Sequence, residues 1–169
     1  MTCYLTDDTD PDDVARGFAE RVFTAVKLYP ANATTNSAAG VTDFRKIRRV
    51  MERMQRIGMP LLIHSELADP DIDVFDREAA FIDRIFEPWT HEFPELRFVH
   101  EHLSSKIGCE FVRSNAGRVG GSITPYHLEL TRTDWLGSGN RPYMYCMPVL
   151  KTAADRRALR EAATGGERC

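Results

Sequence analysis

Residues 26–36 read V-K-L-Y-P-A-N-A-T-T-N, which puts a lysine inside an apolar run one step before a loop of Pro, Asn and Thr. An ammonium in a half-buried strand is costly unless it is paired, reaches water along its methylene stem, or has a chemical task. Two histidines stand in comparable places: His64 closes P-L-L-I-H and His102 closes R-F-V-H-E-H. Neutral imidazole is the commonest metal ligand and also moves protons near neutral pH. Each residue has a plainer alternative, a lysine that only snorkels or a histidine that only satisfies hydrogen bonds. The metal reading rests on the coincidence of all three at corresponding positions.

His100 and His102 lie two residues apart in H-E-H. On a strand such residues project to the same side, so the pair can hold one metal ion. The same alternation turns Glu101 toward the helix layer, in a structural role. Glu66, two residues beyond His64, is placed to orient a neighbour. His91 reads as solvent-exposed, and His127 in T-P-Y-H-L-E-L as a local hydrogen-bonding residue. There is no G-x-S-x-G, and no Cys/His pair is spaced as nucleophile and base.

The elements that must position these residues alternate between short apolar strands and amphipathic helices. The strands are expected at 2–6, 24–29, 60–64, 97–102 and 119–124, with a sixth at 144–149. Asp10 before Pro11 caps a first helix running to residue 21. Thr42 caps a second, whose apolar residues Phe44, Ile47, Val50, Met51, Met54 and Ile57 recur near a period of 3.6 and which stops at Gly58. Further helices are expected at 74–87, 105–113 and 153–163. Repeated strand–helix units argue for a parallel α/β fold, either a doubly wound sheet or a barrel. No G-x-G-x-x-G or G-x-x-x-x-G-K follows a strand, so nucleotide binding has no support. Lys27, His64 and His102 each fall at the C-terminal end of a different strand, the edge where parallel α/β folds build their sites.

The 169 residues are 43 % hydrophobic and 28 % charged, with a net charge of -3. That is an ordinary globular composition, and it offers no electrostatic grip on nucleic acid or anionic lipid. The basic cluster Arg45, Lys46, Arg48 and Arg49 reads as a solvated helix face. Cys3, Cys109, Cys146 and Cys169 form neither a C-x-x-C pair nor a disulfide framework, which fits a reducing cytoplasm. The opening M-T-C-Y-L-T-D-D-T-D lacks the basic and apolar regions of a signal peptide, and no apolar run approaches the ~18 residues of a membrane span.

V-K-L-Y-P-A-N-A-T-T-N-S, E-R-M-Q-R-I-G-M-P-L-L-I-H-S-E, D-I-D-V-F-D-R-E-A-A-F-I, V-H-E-H-L-S-S-K, I-T-P-Y-H-L and R-P-Y-M-Y-C-M-P-V-L-K together resemble the class II dihydroorotases of the amidohydrolase superfamily. The K-L-Y-P-A-N-A-T-T-N block is specific to that class. The resemblance runs without large gaps to about residue 159. It implies a (β/α)8 TIM-type barrel, incomplete here at five or six β/α units in one partial domain over 1–169. It implies two zinc ions and the reversible conversion of N-carbamoyl-L-aspartate to L-dihydroorotate, a step of pyrimidine biosynthesis. Lys27 falls where the family has a carboxylated lysine bridging the metals, and His64 and His102 where it has two metal ligands. Thr34 and Thr35 fall on the loop that closes over dihydroorotate. Met147 falls where the backbone meets the pyrimidine ring and the family usually has Leu. A neutral buried amine can add carbon dioxide, and the carbamate offers two anionic oxygens where an ammonium offers none. Relatives are commonly dimers, which makes a homodimer the expected assembly.

The same resemblance marks departures. The family's first strand carries an H-x-H metal pair and supplies an Arg and an Asn for the substrate carboxylate. Its last strand carries an Asp that binds metal and shuttles the proton, with a substrate-binding His nearby. None of these has a counterpart in the 169 residues, and H-E-H aligns with an internal x-E-H in which only the second His is a ligand. A closed barrel takes typically about 250 residues. The expectation is therefore a middle stretch of a dihydroorotase with no catalytic residue of its own and no activity in isolation. The alternatives are a non-catalytic metal-binding or assembly module of the same lineage, or a hydantoinase-like enzyme, against which the P-A-N-A-T-T-N loop argues.

Overall fold

A computed structural model describes residues 1–137, 139 and 141–165. Five parallel strands form one sheet in sequential order: β1 (Thr2–Tyr4), β2 (Ala25–Leu28), β3 (Leu61–Ile63), β4 (Phe98–His100) and β5 (Val119–Gly121). Helices α1 (Pro11–Ala19), α2 (Arg48–Ile57), α3 (Arg77–Phe81), α4 (Glu87–Glu92) and α5 (Lys106–Ser114) lie between them. Beyond β5 come α6 (Pro125–Glu129), α7 (Arg132–Leu136), a 3-10 turn at Pro142–Met144 and α8 (Ala153–Thr164). No helix among the described residues is long and apolar enough to cross a membrane. Cys3, Cys109 and Cys146 form no disulfide among the described residues, and Cys169 lies outside them.

Register decides which side chains share a face. Tyr4, Lys27, Leu62, Val99 and Gly120 are partners in one row across the five strands. The rows on either side hold Cys3, Val26, Leu61, Phe98 and Val119, and then Leu28, Ile63, His100 and Gly121. These flanking rows supply Val26, Leu28, Leu61, Ile63, Phe98 and Val119 to the apolar core beneath the helices. Lys27 therefore points to the opposite face of the sheet.

The same parity corrects the reading of H-E-H. His100, in register with Ile63, faces the helices, where Phe86 and Phe111 lie 5.7 and 6.5 Å from it between ring centroids. Glu101 lies on the face of Lys27, to which it is bonded, and not toward the helix layer. His102 has a left-handed backbone, φ 46°, so the strand alternation has ended before it and His100 and His102 do not share a side. H-E-H thus brings one histidine to the site, the second.

Other local signals act as read. Asp10 accepts from Asp12 N at 2.8 Å to cap α1, Ser105 Oγ accepts from Gly108 N at 3.0 Å to cap α5, and Gly58 ends α2 at φ 69°. Thr42 does not cap α2, which starts only at Arg48. Thr42 is drawn instead to Asp7 in the β1–α1 loop, its backbone N donating to Oδ1 at 2.9 Å. The helix expected at 74–87 begins at Arg77, widens to a π-helix over Ile82–Phe86 and continues through α4. Pro88 has no N–H for the carbonyl four residues back, which loosens the ladder at that point. The sixth strand does not form. Pro148 withholds a donor, and the segment's carbonyls go to α6: Tyr126 Oη donates to Met144 O at 2.5 Å, and His127 Nε2 to Pro148 O at 2.9 Å.

Phe86 is fully buried, with ring centroids 4.7 Å from Phe111 and 5.3 Å from Phe98. Phe86→Ala is expected to cost about 3–5 kcal/mol of stability, read from the urea midpoint at unchanged slope. Burial holds the His100 imidazole down to about 4, against 6.5 for a free one, with Glu78 pulling partly back. Below pH 6.5 the unfolded chain then binds a proton that the native state refuses, so stability falls as the pH drops toward 4. His100→Phe is expected to flatten the pH dependence in that window by up to roughly 1.4 kcal/mol per pH unit, measured by denaturation at each pH.

Candidate metal and substrate site

β2, β3 and β4 deliver their polar residues to one edge because each strand ends where apolar packing ends. Lys27 is 7 % exposed within a wholly buried strand. Its Nζ donates to Glu101 Oε2 and lies 4.7 Å from the centre of the Tyr29 ring. Burial pushes the amine below the ordinary lysine range, and the Glu101 carboxylate pulls it partly back.

His64 is buried, as is Glu66. Its Nε2–H donates to Glu66 Oε2 at 2.8 Å, an arrangement that keeps the proton on Nε2 and leaves Nδ1 its lone pair. Nδ1 faces His102 Nε2 at 3.2 Å, with the two rings inclined at 65°. Backbone geometry sets this meeting: the left-handed turn at His102 is fixed by its N–H donating to Ser122 Oγ at 2.9 Å. Burial, with His64 and Lys27 adding repulsion, drives His102 down to about 2, so its imidazole is neutral. Its Nδ1 is buried without a partner.

Two ring nitrogens aimed at each other at this separation fit a shared cation. Nitrogens about 2.0–2.1 Å from one tetrahedral zinc sit about 3.3 Å apart, close to the separation found here. Among the described residues, however, no group of three or more His, Cys, Asp or Glu is gathered closely enough to hold an ion. Lys27, whose charge acts on His102, binds Glu101 as an ammonium and offers no lone pair. As a carbamate it would present oxygen donors.

Thr34, Thr35 and Met147 line one cavity of about 230 Å3, together with Asn32, Arg77 and Cys146. Segments far apart in the chain thus meet over this edge. The 30–36 loop is built from within: Asn32 N donates to Ser37 O at 3.1 Å, Thr34 N to Ser37 Oγ at 2.9 Å, and Asn32 and Asn36 take left-handed conformations. Gly40 closes the loop where a Cβ would stand 2.3 Å from Tyr29 O. Neither this cavity nor a larger groove of about 470 Å3 between the 30–44 and 67–70 segments is lined by Lys27, His64 or His102.

Three further residues enter the site without having been singled out for it: Tyr29, Ser122 and Arg77. Glu101 was assigned the wrong face, and the strand register was the signal that corrects it. Glu66 orients His64 as expected. His127 is a hydrogen-bonding residue, with Thr124 Oγ1 at 2.9 Å on Nδ1, and His91 is exposed.

No family model matches the chain. Dihydroorotase from Erwinia tasmaniensis is 52 % identical over 168 residues, 99 % of this chain and 48 % of that protein. Dihydroorotase from Parasynechococcus marenigrum is 53 % identical over 167 residues, with 99 % and 49 % covered. The crystal structure of dihydroorotase from Campylobacter jejuni superposes with a TM-score of 0.88 at 34 % identity, covering 99 % of this chain and 48 % of that one. Dihydroorotase from Saccharomyces cerevisiae, in complex with 5-fluoroorotic acid, gives 0.88 at 33 % identity. A D-hydantoinase gives 0.75 at 16 % identity, a likeness of fold alone. The chain spans about half the length of the curated relatives it matches, and its open five-stranded sheet is correspondingly part of the amidohydrolase barrel. The sequence identity and the superposition agree, and the chain belongs to the dihydroorotase family, of which it covers about half a member.

Proposed function

We propose that this chain forms part of the catalytic site of a zinc-dependent cyclic amidohydrolase that interconverts L-dihydroorotate and N-carbamoyl-L-aspartate in cytoplasmic pyrimidine biosynthesis. The observation that carries the reading is the 3.2 Å approach of His64 Nδ1 to His102 Nε2 beside a buried lysine, in a chain about half identical to dihydroorotases. His64 and His102 would hold zinc, and Lys27, as a carbamate, would add anionic oxygen donors beside them. Zinc, when bound, polarises the amide carbonyl and makes a water nucleophilic at neutral pH.

The chain's own residues do the rest of what this stretch contributes. Glu66 fixes the tautomer of His64 so that a lone pair, not a proton, faces the site. Glu101 compensates the charge of Lys27 while it is an ammonium. The Thr34 and Thr35 hydroxyls hydrogen-bond substrate and exclude water. The Met147 backbone lies against the ring. In the hydrolytic direction water adds to the ring carbonyl carbon, the C–N bond breaks, and the ring nitrogen takes up a proton. The donor of that proton is not among the residues described here. We place 1–169 in one partial barrel domain that completes its ligand set with further β/α units and assembles as a homodimer.

Among the described residues no group of three or more His, Cys, Asp or Glu is arranged to hold an ion, which favours one other reading, a metal-binding module without turnover. The 169-residue chain, incubated with zinc and bicarbonate, is expected to retain zinc and to leave dihydroorotate absorbance unchanged. Glu66→Gln is expected to weaken zinc by roughly 10–100-fold. Hydrolysis that disappears in Lys27→Ala would show that these residues form a complete centre. A chain that retains no zinc would remove the metal reading, and hydantoin turnover without dihydroorotate turnover would move the chain to the hydantoinases.

A further inference from the structure

Two stretches of sequence that the proposed reaction leaves without a task meet behind the histidine pair. One is D-R-E-A, which puts Glu78 in α3; the other is H-L-S-S, which leads from His102 into α5. Glu78 and Ser104 are each 1 % exposed. A carboxylate at that depth requires partners for its charge. It takes two from one residue of the β4–α5 loop: Ser104 N donates to Oε2 at 3.2 Å, and Ser104 Oγ donates to the same oxygen. The other oxygen, Oε1, stands 3.4 Å from His100 Nε2.

The loop held in this way is the one that aims His102. A residue with a side chain keeps a left-handed backbone, here φ 46°, only where its surroundings impose it. They impose it from three elements. Ser122, just beyond β5, accepts from His102 N at 2.9 Å on its Oγ and from Leu103 N at 2.8 Å on its carbonyl. Leu103 is fully buried and fills the space that two glycines leave: an added Cβ would stand 2.8 Å from it at Gly108 in α5 and 2.6 Å at Gly121 in β5. Glu78 then fixes the following residue, Ser104. Gly108 serves this contact too, because the same Cβ would stand 2.3 Å from Glu78 Oε1. Hydrogen bonds to an ionised acceptor are the strong ones, and without Glu78 the buried Ser104 N–H would lose its acceptor.

We infer that Glu78 is a positioning residue for the metal pair: through Ser104 it holds the β4–α5 loop in the left-handed turn that brings His102 Nε2 to His64 Nδ1. The inference deepens the function proposed above and rests on it for the identity of the ion.

The test uses the 169-residue chain, with Met54→Ala as a control that empties a fully buried position in α2. Zinc affinity is measured by competition with a chelating dye. In the zinc-free chain, the nuclear Overhauser contact between the imidazoles of His64 and His102, whose centroids lie 4.7 Å apart, reports the aim of His102 directly. Glu78→Gln is expected to abolish that contact and to weaken zinc by roughly 10–100-fold. Met54→Ala is expected to lower the melting temperature while keeping the contact, with zinc affinity changed less than about threefold. Ser104→Ala removes only the hydroxyl and carries the test if Glu78→Gln does not fold, with an expected loss of at least about threefold. Equal zinc loss in Glu78→Gln and Met54→Ala would make Glu78 merely structural and overturn the inference. So would a ring contact that survives in Glu78→Gln, or in Ser104→Ala where that variant carries the test, or one that is missing from the wild type. A wild-type chain that shows the contact but retains no zinc strikes the functional reading, and loss of the contact in Glu78→Gln then still supports the positioning role.

Discussion

Burial of the Lys27 amine is the constraint around which the sheet is arranged. β2 is buried along its whole length, and Lys27 stands in the middle of it. A charge placed there without compensation would cost several kcal/mol or would be given up by deprotonation. The compensation is one carboxylate, Glu101, from just beyond a strand two places away. It reaches Lys27 because β4 is in register with β3 and β3 with β2, so that the residue after His100 lands on the face of the lysine. The contact ties chemistry to topology: a shift of register by one residue would send Glu101 into the helices and His100 toward Lys27.

Polar groups thus divide between the two faces of one sheet. On the open face lie Lys27 with Glu101, and His64 with Glu66 and His102. On the helix face, Glu78 joins His100 to Ser104 and holds the β4–α5 loop through the Ser104 N–H. Gly108 leaves room for that carboxylate, since a Cβ there would stand 2.3 Å from Glu78 Oε1. The loop that presents His102 is therefore anchored from below by Glu78 and from the side by Ser122, whose Oγ receives the His102 N–H. A ligand histidine is only as well placed as the backbone that carries it, and here that backbone takes its shape from buried hydrogen bonds.

The face opposite the helices is only partly covered, with Leu62 and Val99 half-buried beside Lys27. Its geometry matches dihydroorotase structures along nearly the whole chain and about half of theirs. The stretch supplies a pair of facing imidazoles, a lysine of depressed basicity and a threonine loop over a cavity. These parts lie at the C-terminal edge of the parallel strands, where the side chains of separate strands converge and the loops are free to vary.

Much of this was legible in the sequence. Five of the six expected strands, the α1 and α5 caps and the stop at Gly58 follow from local rules, because apolar runs, Asp–Pro and a C-terminal glycine act over a few residues. Lys27 stood out as a charge inside an apolar run, His64 and His102 as polar residues at expected strand ends, and Thr34, Thr35 and Met147 because they sit in family motifs. The sixth strand failed for a reason present in the sequence, Pro148, whose effect depended on α6 taking the segment's carbonyls. Thr42 carries a capping side chain, but only the fold brought Asp7 close enough to claim it. The faces of His100 and Glu101 required the strand register and the left-handed turn at His102. Residue type and spacing determine what a side chain can do; parity across strands and competition among buried partners, which are properties of the folded chain, decide which of those things it does.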